Sequence, residues 1–224
     1  MHRRSRKPLV REFFEKLGYR DAASLLLSVV AVAAVAAAFL GYLANRPPTD
    51  DSDEAGFARD MMVHHAQAVQ MAEIVRDKTE DETIRAIAGD MAITQQGQIG
   101  QMQGWLNVWG LPITGTEPQM AWIGHEVEGR MPGMASPEEI QELAEAPPKE
   151  ADEIFLRLMI PHHEAAVPMS EAIYDTDHPA VRQLAEAIAI SQESEIQMME
   201  AMLEDMGAEP PEPMDMNHEG HDHE

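Results

Sequence analysis

The sequence predicts an all-α protein, a four-helix bundle made of two repeated helical hairpins and preceded by one transmembrane helix. Three observations predict it. A segment beginning at Phe57 recurs 98 residues later, at Phe155. Each copy leads into a second amphipathic stretch that ends at a glycine, Gly110 or Gly207. Ahead of both copies lies an uncharged apolar run, Ala22 to Leu43, interrupted only by Ser24, Ser28, Gly41 and Tyr42.

That run is long enough, at about 1.5 Å per residue, to cross a hydrocarbon core of about 30 Å. Seven Lys/Arg side chains precede it, and Arg46 alone follows before Asp50 and Asp51. The positive-inside rule therefore places residues 1–21 in the cytoplasm, 22–43 in the membrane and the rest of the chain outside. A cleaved signal peptide is the alternative, with Ala36-Ala37-Ala38 as the cleavage pattern, but Phe39, Leu40 and Leu43 carry the apolar run past it. Residues 44–55 read as a Pro/Asp-rich linker, 56–207 as the helical body, and 208–224 as a flexible Met/His/acidic tail, too polar and Pro-rich to fold alone.

The repeat is close. Phe57-Ala-Arg-Asp-Met-Met-Val-His-His-Ala-Gln-Ala-Val-Gln-Met71 matches Phe155-Leu-Arg-Leu-Met-Ile-Pro-His-His-Glu-Ala-Ala-Val-Pro-Met169. With an offset of 97 the match continues through Arg85/Arg182, Ala88/Ala185, Gln95/Gln192, Ile99/Ile196, Met102/Met199 and Leu106/Leu203. Each repeat, 57–110 and 155–207, is expected to be two helices joined by a short polar link at 77–82 or 175–179, with the terminal glycine in the left-handed C′ position. The second helices are expected to bury Ile93, Ile99, Met102 and Leu106, and Ile190, Ile196, Met199 and Leu203. Trp105 and Trp109, and the methionines Met198, Met202 and Met206, are expected to add core packing. The connection, 111–150, is long enough to cross the bundle from end to end, as in ferritin-like topologies. Within it, Ser136-Pro137-Glu138-Glu139 predicts a helix start with Ser136 as N-cap, Pro137 at N1 and Glu139 closing a capping box.

Composition narrows the chemistry. Forty acidic and sixteen basic residues give a formal charge of −24, which excludes nucleic acid as a partner because phosphate binding needs a basic footprint. Cysteine is absent, which excludes disulfides, iron–sulfur clusters and thiol catalysis. Methionine (17) and histidine (10) are plentiful. On a helix Met61, His64, His65 and Ala68 share one arc with Met71 at its edge, and Met159, His162, His163, Ala166 and Met169 repeat it. The arc also carries Phe57, Ala72 and Val75, so the histidines face inward. Buried imidazoles are costly unless something satisfies their nitrogens. Backbone carbonyls or Gln95 and Gln192 are one solution, and a metal is the other. The duplicated Met-x-x-His-His pattern points to the metal.

Thioethers with imidazoles, and no thiolate, suit copper, with methionine favouring Cu(I) and histidine Cu(II). Zinc would recruit cysteine or several histidines with a carboxylate. A di-iron site needs Glu-x-x-His, and the residues three before the histidines are Met61, Met62, Met159 and Ile160.

These segments resemble the bacterial proteins grouped as domain of unknown function 305. The resemblance rests on Met159-Ile160-Pro161-His162-His163 through Met169, on Gln192, Glu195, Ile196 and Met199, and on Met131-Pro132-Gly133-Met134 between the repeats. It covers about 150 residues. It implies a ferritin-like helical bundle that binds copper outside the cytoplasm and aids copper tolerance. By matching position it implies His64, His65, His162, His163, Met61, Met71, Met159 and Met169 as ligands, with Met102, Met199, Met131 and Met134 as further ones. The first repeat has Val63 where proline is usual, and Pro168 stands just before Met169 inside an expected helix, where it removes a hydrogen bond and puts a kink at that ligand.

In the tail, His218, His221 and His223 form a low-complexity metal-binding segment, while the isolated His125 and His178 are expected at the surface. The expected protein is thus anchored and extracytoplasmic, and sequesters or hands on copper. A metal-dependent oxidase of Cu(I) or a small substrate, and a helical interaction module without metal, are the alternatives. No acid/base or nucleophile constellation supports an enzyme.

Overall fold

The computed structural model describes residues 19–44, 46–124, 127 and 129–214. They fall into two compact units, residues 1–47 and 48–224. In the first unit, α1 (Tyr19–Ala44) is helical throughout and contains an apolar stretch, Asp21–Gly41, long and apolar enough to cross a membrane. Its apolar side chains are open, Leu26 at 65% and Val32 at 70% exposure. In water such a surface is unfavourable.

The second unit is all-helical: α2 (Asp53–Lys78), α3 (Glu82–Trp109), a 3₁₀ turn (Ala121–Ile123), α4 (Pro137–Glu145), α5 (Pro148–Glu171) and α6 (Pro179–Asp205). The first hairpin is α2 with α3, the second is α5 with α6, and the two meet through α2 and α5. Helix α2 starts at Asp53, earlier than the boundary at residue 56 read from the sequence. Ser52 sets that start by accepting a hydrogen bond from the Ala55 N–H at 3.3 Å. The segment before it is not a bare linker: Pro48 is buried, and Asp50 pairs with the guanidinium of Arg59.

The repeat extends into the links. Thr79 and Thr176, offset by 97, are both buried; their hydroxyls accept from the N–H groups of Asp81 (3.0 Å) and His178 (3.1 Å). Arg85 and Arg182 then donate to the carbonyls of Thr79 and Thr176. The helix ends match too. Gly110 (φ 74°) and Gly207 (φ 78°) allow the N–H groups of Leu111 and Ala208 to reach back to Leu106 and Leu203, at 2.8 and 2.9 Å. In the connection Ser136 and Glu139 close the expected capping box around Pro137.

The apolar interior is two clusters stacked along the helices. One joins the end of α2 (Met71, Val75), the start of α3 (Ile84, Met91), the first half of α5 (Phe155, Met159), the end of α6 (Met199, Leu203) and Leu143 of α4. The other joins the start of α2 (Phe57, Met61), the end of α3 (Met102, Leu106), the end of α5 (Met169) with Ile173 just past it, and the start of α6 (Val181, Ile188). Helices α2 and α5 therefore run antiparallel.

Several expectations need correction. Ile93 and Ile190 are 71% and 69% exposed. At about 100° per residue each lies about 140° from the stripe through Ala88 or Ala185. Gln95 and Gln192 occupy the inward positions instead. Met198 and Met206 are each 43% exposed, and Trp105 and Trp109 only partly buried. Pro168 does not end α5, which continues to Glu171 with Met169 buried. The tail begins on the body: Ala208 packs against the first cluster, and the Met214 N–H donates to Glu164 at 3.1 Å.

Candidate metal centre

Between the two clusters lies a polar layer. Helix α2 contributes His64 and His65, α5 contributes His162 and His163, and all four are wholly buried. Gln95 and Gln192 fall at the same level of α3 and α6, between the residues those helices give to the two clusters. The pseudo-twofold relation of the repeats passes through the middle of the layer, where the rings of His64 and His162 lie 3.8 Å apart at 36°. His163 follows His162 with ring centres 6.2 Å apart.

Burial favours the neutral form of His64, His65 and His162. It pulls His64 down to about 4 against the opposing effect of the Pro132 carbonyl, and His65 to about 3 with further repulsion from His64. His162 is held well below its ordinary value by burial, then by the other histidines. Neutral imidazole is the metal-ligating form.

The hydrogen bonds match the expectation in part: backbone carbonyls serve two of the rings, and Gln95 serves none. Gln95 has neither side-chain atom bonded and the Gln192 carbonyl oxygen is unpartnered. The partners of the rings are the Pro132 carbonyl for His64 (3.2 Å), the His64 carbonyl for His162 (3.1 Å) and the Glu195 carboxylate for His163 (2.7 Å). Gln98 is close enough to favour the charged form of His65, yet neither ring nitrogen of His65 has a hydrogen-bond partner. Every one of the four rings retains a buried, unpartnered nitrogen.

The Met131–Ala135 loop closes one side of the layer. Gln67 clamps it by donating to the Ala135 carbonyl (2.9 Å) and accepting from the Ala135 N–H (2.7 Å). Gly133 (φ 73°) lies against α5 so closely that a Cβ would come within 2.5 Å of the Pro161 carbonyl. Only glycine serves at that point. On the outer side of α2, a cavity of about 540 Å³ borders Arg59, Asp60 and Trp122, and no histidine lines it. There Asp60 accepts from the Met120 N–H (2.8 Å) and the Trp122 indole (2.9 Å), pinning the connection to α2. Burial raises its pKa in spite of those bonds.

The candidate methionines separate onto the two sides of the layer. Met61, Met102, Met131 and Met169 are buried in one cluster with Met134 packed against it, and Met71, Met159 and Met199 are buried in the other. Repeat symmetry exchanges Met61 with Met159, Met71 with Met169 and Met102 with Met199. Each side thus carries one copy of the same three thioethers. Among the described residues no three or more His, Asp or Glu side chains gather in an arrangement that could hold a metal ion. The imidazoles are therefore available singly or in twos, and thioethers or a ring rotation must complete a ligand set. The orphaned nitrogens and the soft donors beside them fit copper. His125, His218, His221 and His223 lie outside the described residues. His178 is half-buried, with its ring 6.2 Å from that of Trp109.

Comparison with known proteins gives this geometry a lineage. The chain resembles a protein from Streptomyces coelicolor, described as a candidate secreted DUF305 protein, with 42% identity and a TM-score of 0.70 over 73% of this chain and 99% of that one. A DUF305 fragment from Deinococcus radiodurans follows at 35% identity and a TM-score of 0.60, over 71% and 99%. CopM, solved in Cu(I)-bound and Cu(II)-bound forms, shares 27% and 26% identity with a TM-score of 0.53, over 69% of this chain and 97% of CopM. Over 55 residues the chain is 44% identical to uncharacterized protein L153 of Acanthamoeba polyphaga mimivirus, a match spanning 24% of this chain and 36% of that protein. The family model for the domain of unknown function DUF305 matches residues 54–203, with a second match over 171–224. The chain belongs to the DUF305 family.

Proposed function

We propose that this protein binds copper outside the cytoplasm, held to the membrane by α1, and sequesters the metal or hands it on. One observation carries the reading: four fully buried imidazoles, each with an unpartnered nitrogen, lie between two clusters that carry buried thioethers. Such a layer is expensive in an empty core and favourable around a soft cation. The copper-bound forms of CopM, a member of the same fold, support the choice of metal. His64, His65, His162 and His163 are the proposed imidazole ligands. Met61, Met102 and Met169 would serve on one side and Met71, Met159 and Met199 on the other, with Met131 and Met134 added from the loop. The body would be a ferritin-like four-helix bundle, and the tail histidines an auxiliary, weaker site.

The test is a copper titration of residues 48–224 and 48–214 against a competing chelator, in reducing and in oxidising buffer. Tight binding is expected to survive removal of the tail. Its loss with the tail would contradict a site in the body. For topology, protease added to intact cells is expected to digest the body, which otherwise sediments with membranes. A free body beginning near Phe39 would show cleavage in place of an anchor.

A further inference from the structure

Three of the four imidazoles are held by oxygen atoms through the same ring nitrogen. Nε2 of His64 lies 3.2 Å from the carbonyl oxygen of Pro132, and Nε2 of His162 lies 3.1 Å from the carbonyl oxygen of His64. Nε2 of His163 lies 2.7 Å from Oε2 of Glu195. A backbone carbonyl has no hydrogen to give, and a carboxylate only accepts. Each contact is therefore a hydrogen bond only when Nε2 carries the hydrogen. In a neutral imidazole the lone pair then sits on Nδ1. Nδ1 of His64, His162 and His163 is in each case buried and without a partner.

We propose that His64, His162 and His163 bind copper through Nδ1, and that the Pro132 carbonyl, the His64 carbonyl and Glu195 are the positioning groups that hold their tautomer. The proposal rests on the copper reading above and adds to it the ligating atom and its support. A metal-bound histidine commonly donates its other ring N–H to a carbonyl or carboxylate, which fixes ring orientation and strengthens the ligand. Binding through Nε2 would instead break three hydrogen bonds.

The two halves of the layer are not equivalent in this respect. The residue matching Glu195 in the first repeat is Gln98, whose amide can donate as well as accept and so selects no tautomer. His65 has neither nitrogen bonded. His64 is held by the inter-repeat loop and not by its own hairpin. Three rings are thus preset and one is free to adapt.

The experiment is nitrogen NMR of the full-length, histidine-labelled protein in detergent micelles, first metal-free and then with Ag(I) as a closed-shell probe for Cu(I). The metal-free spectrum is expected to show protonated Nε2 and unprotonated Nδ1 for His64, His162 and His163. On adding Ag(I), the Nδ1 resonances should shift and acquire coupling to silver while Nε2 keeps its hydrogen. In Glu195→Gln the His163 ring alone should become a mixture of tautomers while His64 and His162 keep theirs, whereas a general loss of packing would release all three. Coupling of silver to Nε2 would overturn the proposal and leave the copper reading standing. Absence of any histidine response would overturn both. A His163 ring that stays purely Nε2-protonated in Glu195→Gln would remove Glu195 as its positioning group.

Discussion

Replacing His64, His65, His162 and His163 together is expected to abolish tight copper binding by the body while leaving it helical. Loss of a single outer partner of a metal ligand commonly costs about 10–100-fold in affinity. Removing all four imidazoles should exceed that by far. The effect on folding is a difference of two terms. Truncation to alanine opens cavities, at a cost of the order of 2–5 kcal/mol for a large buried side chain. It also removes the penalty for unsatisfied polar nitrogens, about 1–3 kcal/mol each. Leucine, closer in volume, keeps the second gain and avoids most of the first. The quadruple leucine variant of residues 48–214 is therefore the cleaner test, read by circular dichroism for fold and by chelator competition for copper. A folded variant that still holds copper tightly would contradict the assignment.

The metal-free body is expected to lose stability steeply as the pH falls below about 6.5. His64, His65 and His162 are neutral in the fold, with values of about 4, about 3 and well below the ordinary one. In the unfolded chain they protonate near 6.5. Between these limits the unfolded state binds more protons, so stability is fully present above about pH 6.5 and drains as the pH falls toward the folded values. The slope approaches about 1.4 kcal/mol per pH unit for each such histidine. Three together approach about 4 kcal/mol per pH unit, against a typical total of 5–15 kcal/mol. Asp60, Asp152 and Glu164, raised by burial, act in the opposite sense, since their contribution is lost as the pH rises through their folded values. They soften the decline only between their raised folded values and the ordinary carboxylate range below them. The quadruple leucine variant should show a far flatter profile between pH 6.5 and 4. An equally steep profile in that variant would place the acid sensitivity elsewhere.

The helical hairpins could be read from the sequence because the repeat supplies each helix twice and Gly110 and Gly207 mark their ends, while Ser136 marks the start of the short helix between them. The burial of His64, His65, His162 and His163 was legible from the arc they share with Phe57 and Val75. The exposed Ile93 and Ile190 misled because an isoleucine suggests core unless its angle from the stripe is worked out. The hydrogen-bond partners were less legible. Pro132 and His64 act through backbone carbonyls, which leave no side-chain signature. Glu195 differs from Gln98 by a single amide, a contrast that the 97-residue offset exposes only once His163 is known to face it. The division of the methionines follows from α2 and α5 running antiparallel, which a long connection permits but does not dictate. Asp60 has no counterpart in the second repeat, where Leu158 stands, so repeat symmetry gave no hint of its bond to Trp122.

Anomalous diffraction at the copper edge from copper-loaded crystals of residues 48–214 tests the central claim most directly. The account predicts copper peaks between the two apolar clusters, within bonding distance of the His64, His65, His162 or His163 rings and of thioethers from Met61, Met102 and Met169 or from Met71, Met159 and Met199. Copper found only on surface carboxylates, with the histidine layer unchanged and metal-free, would contradict it.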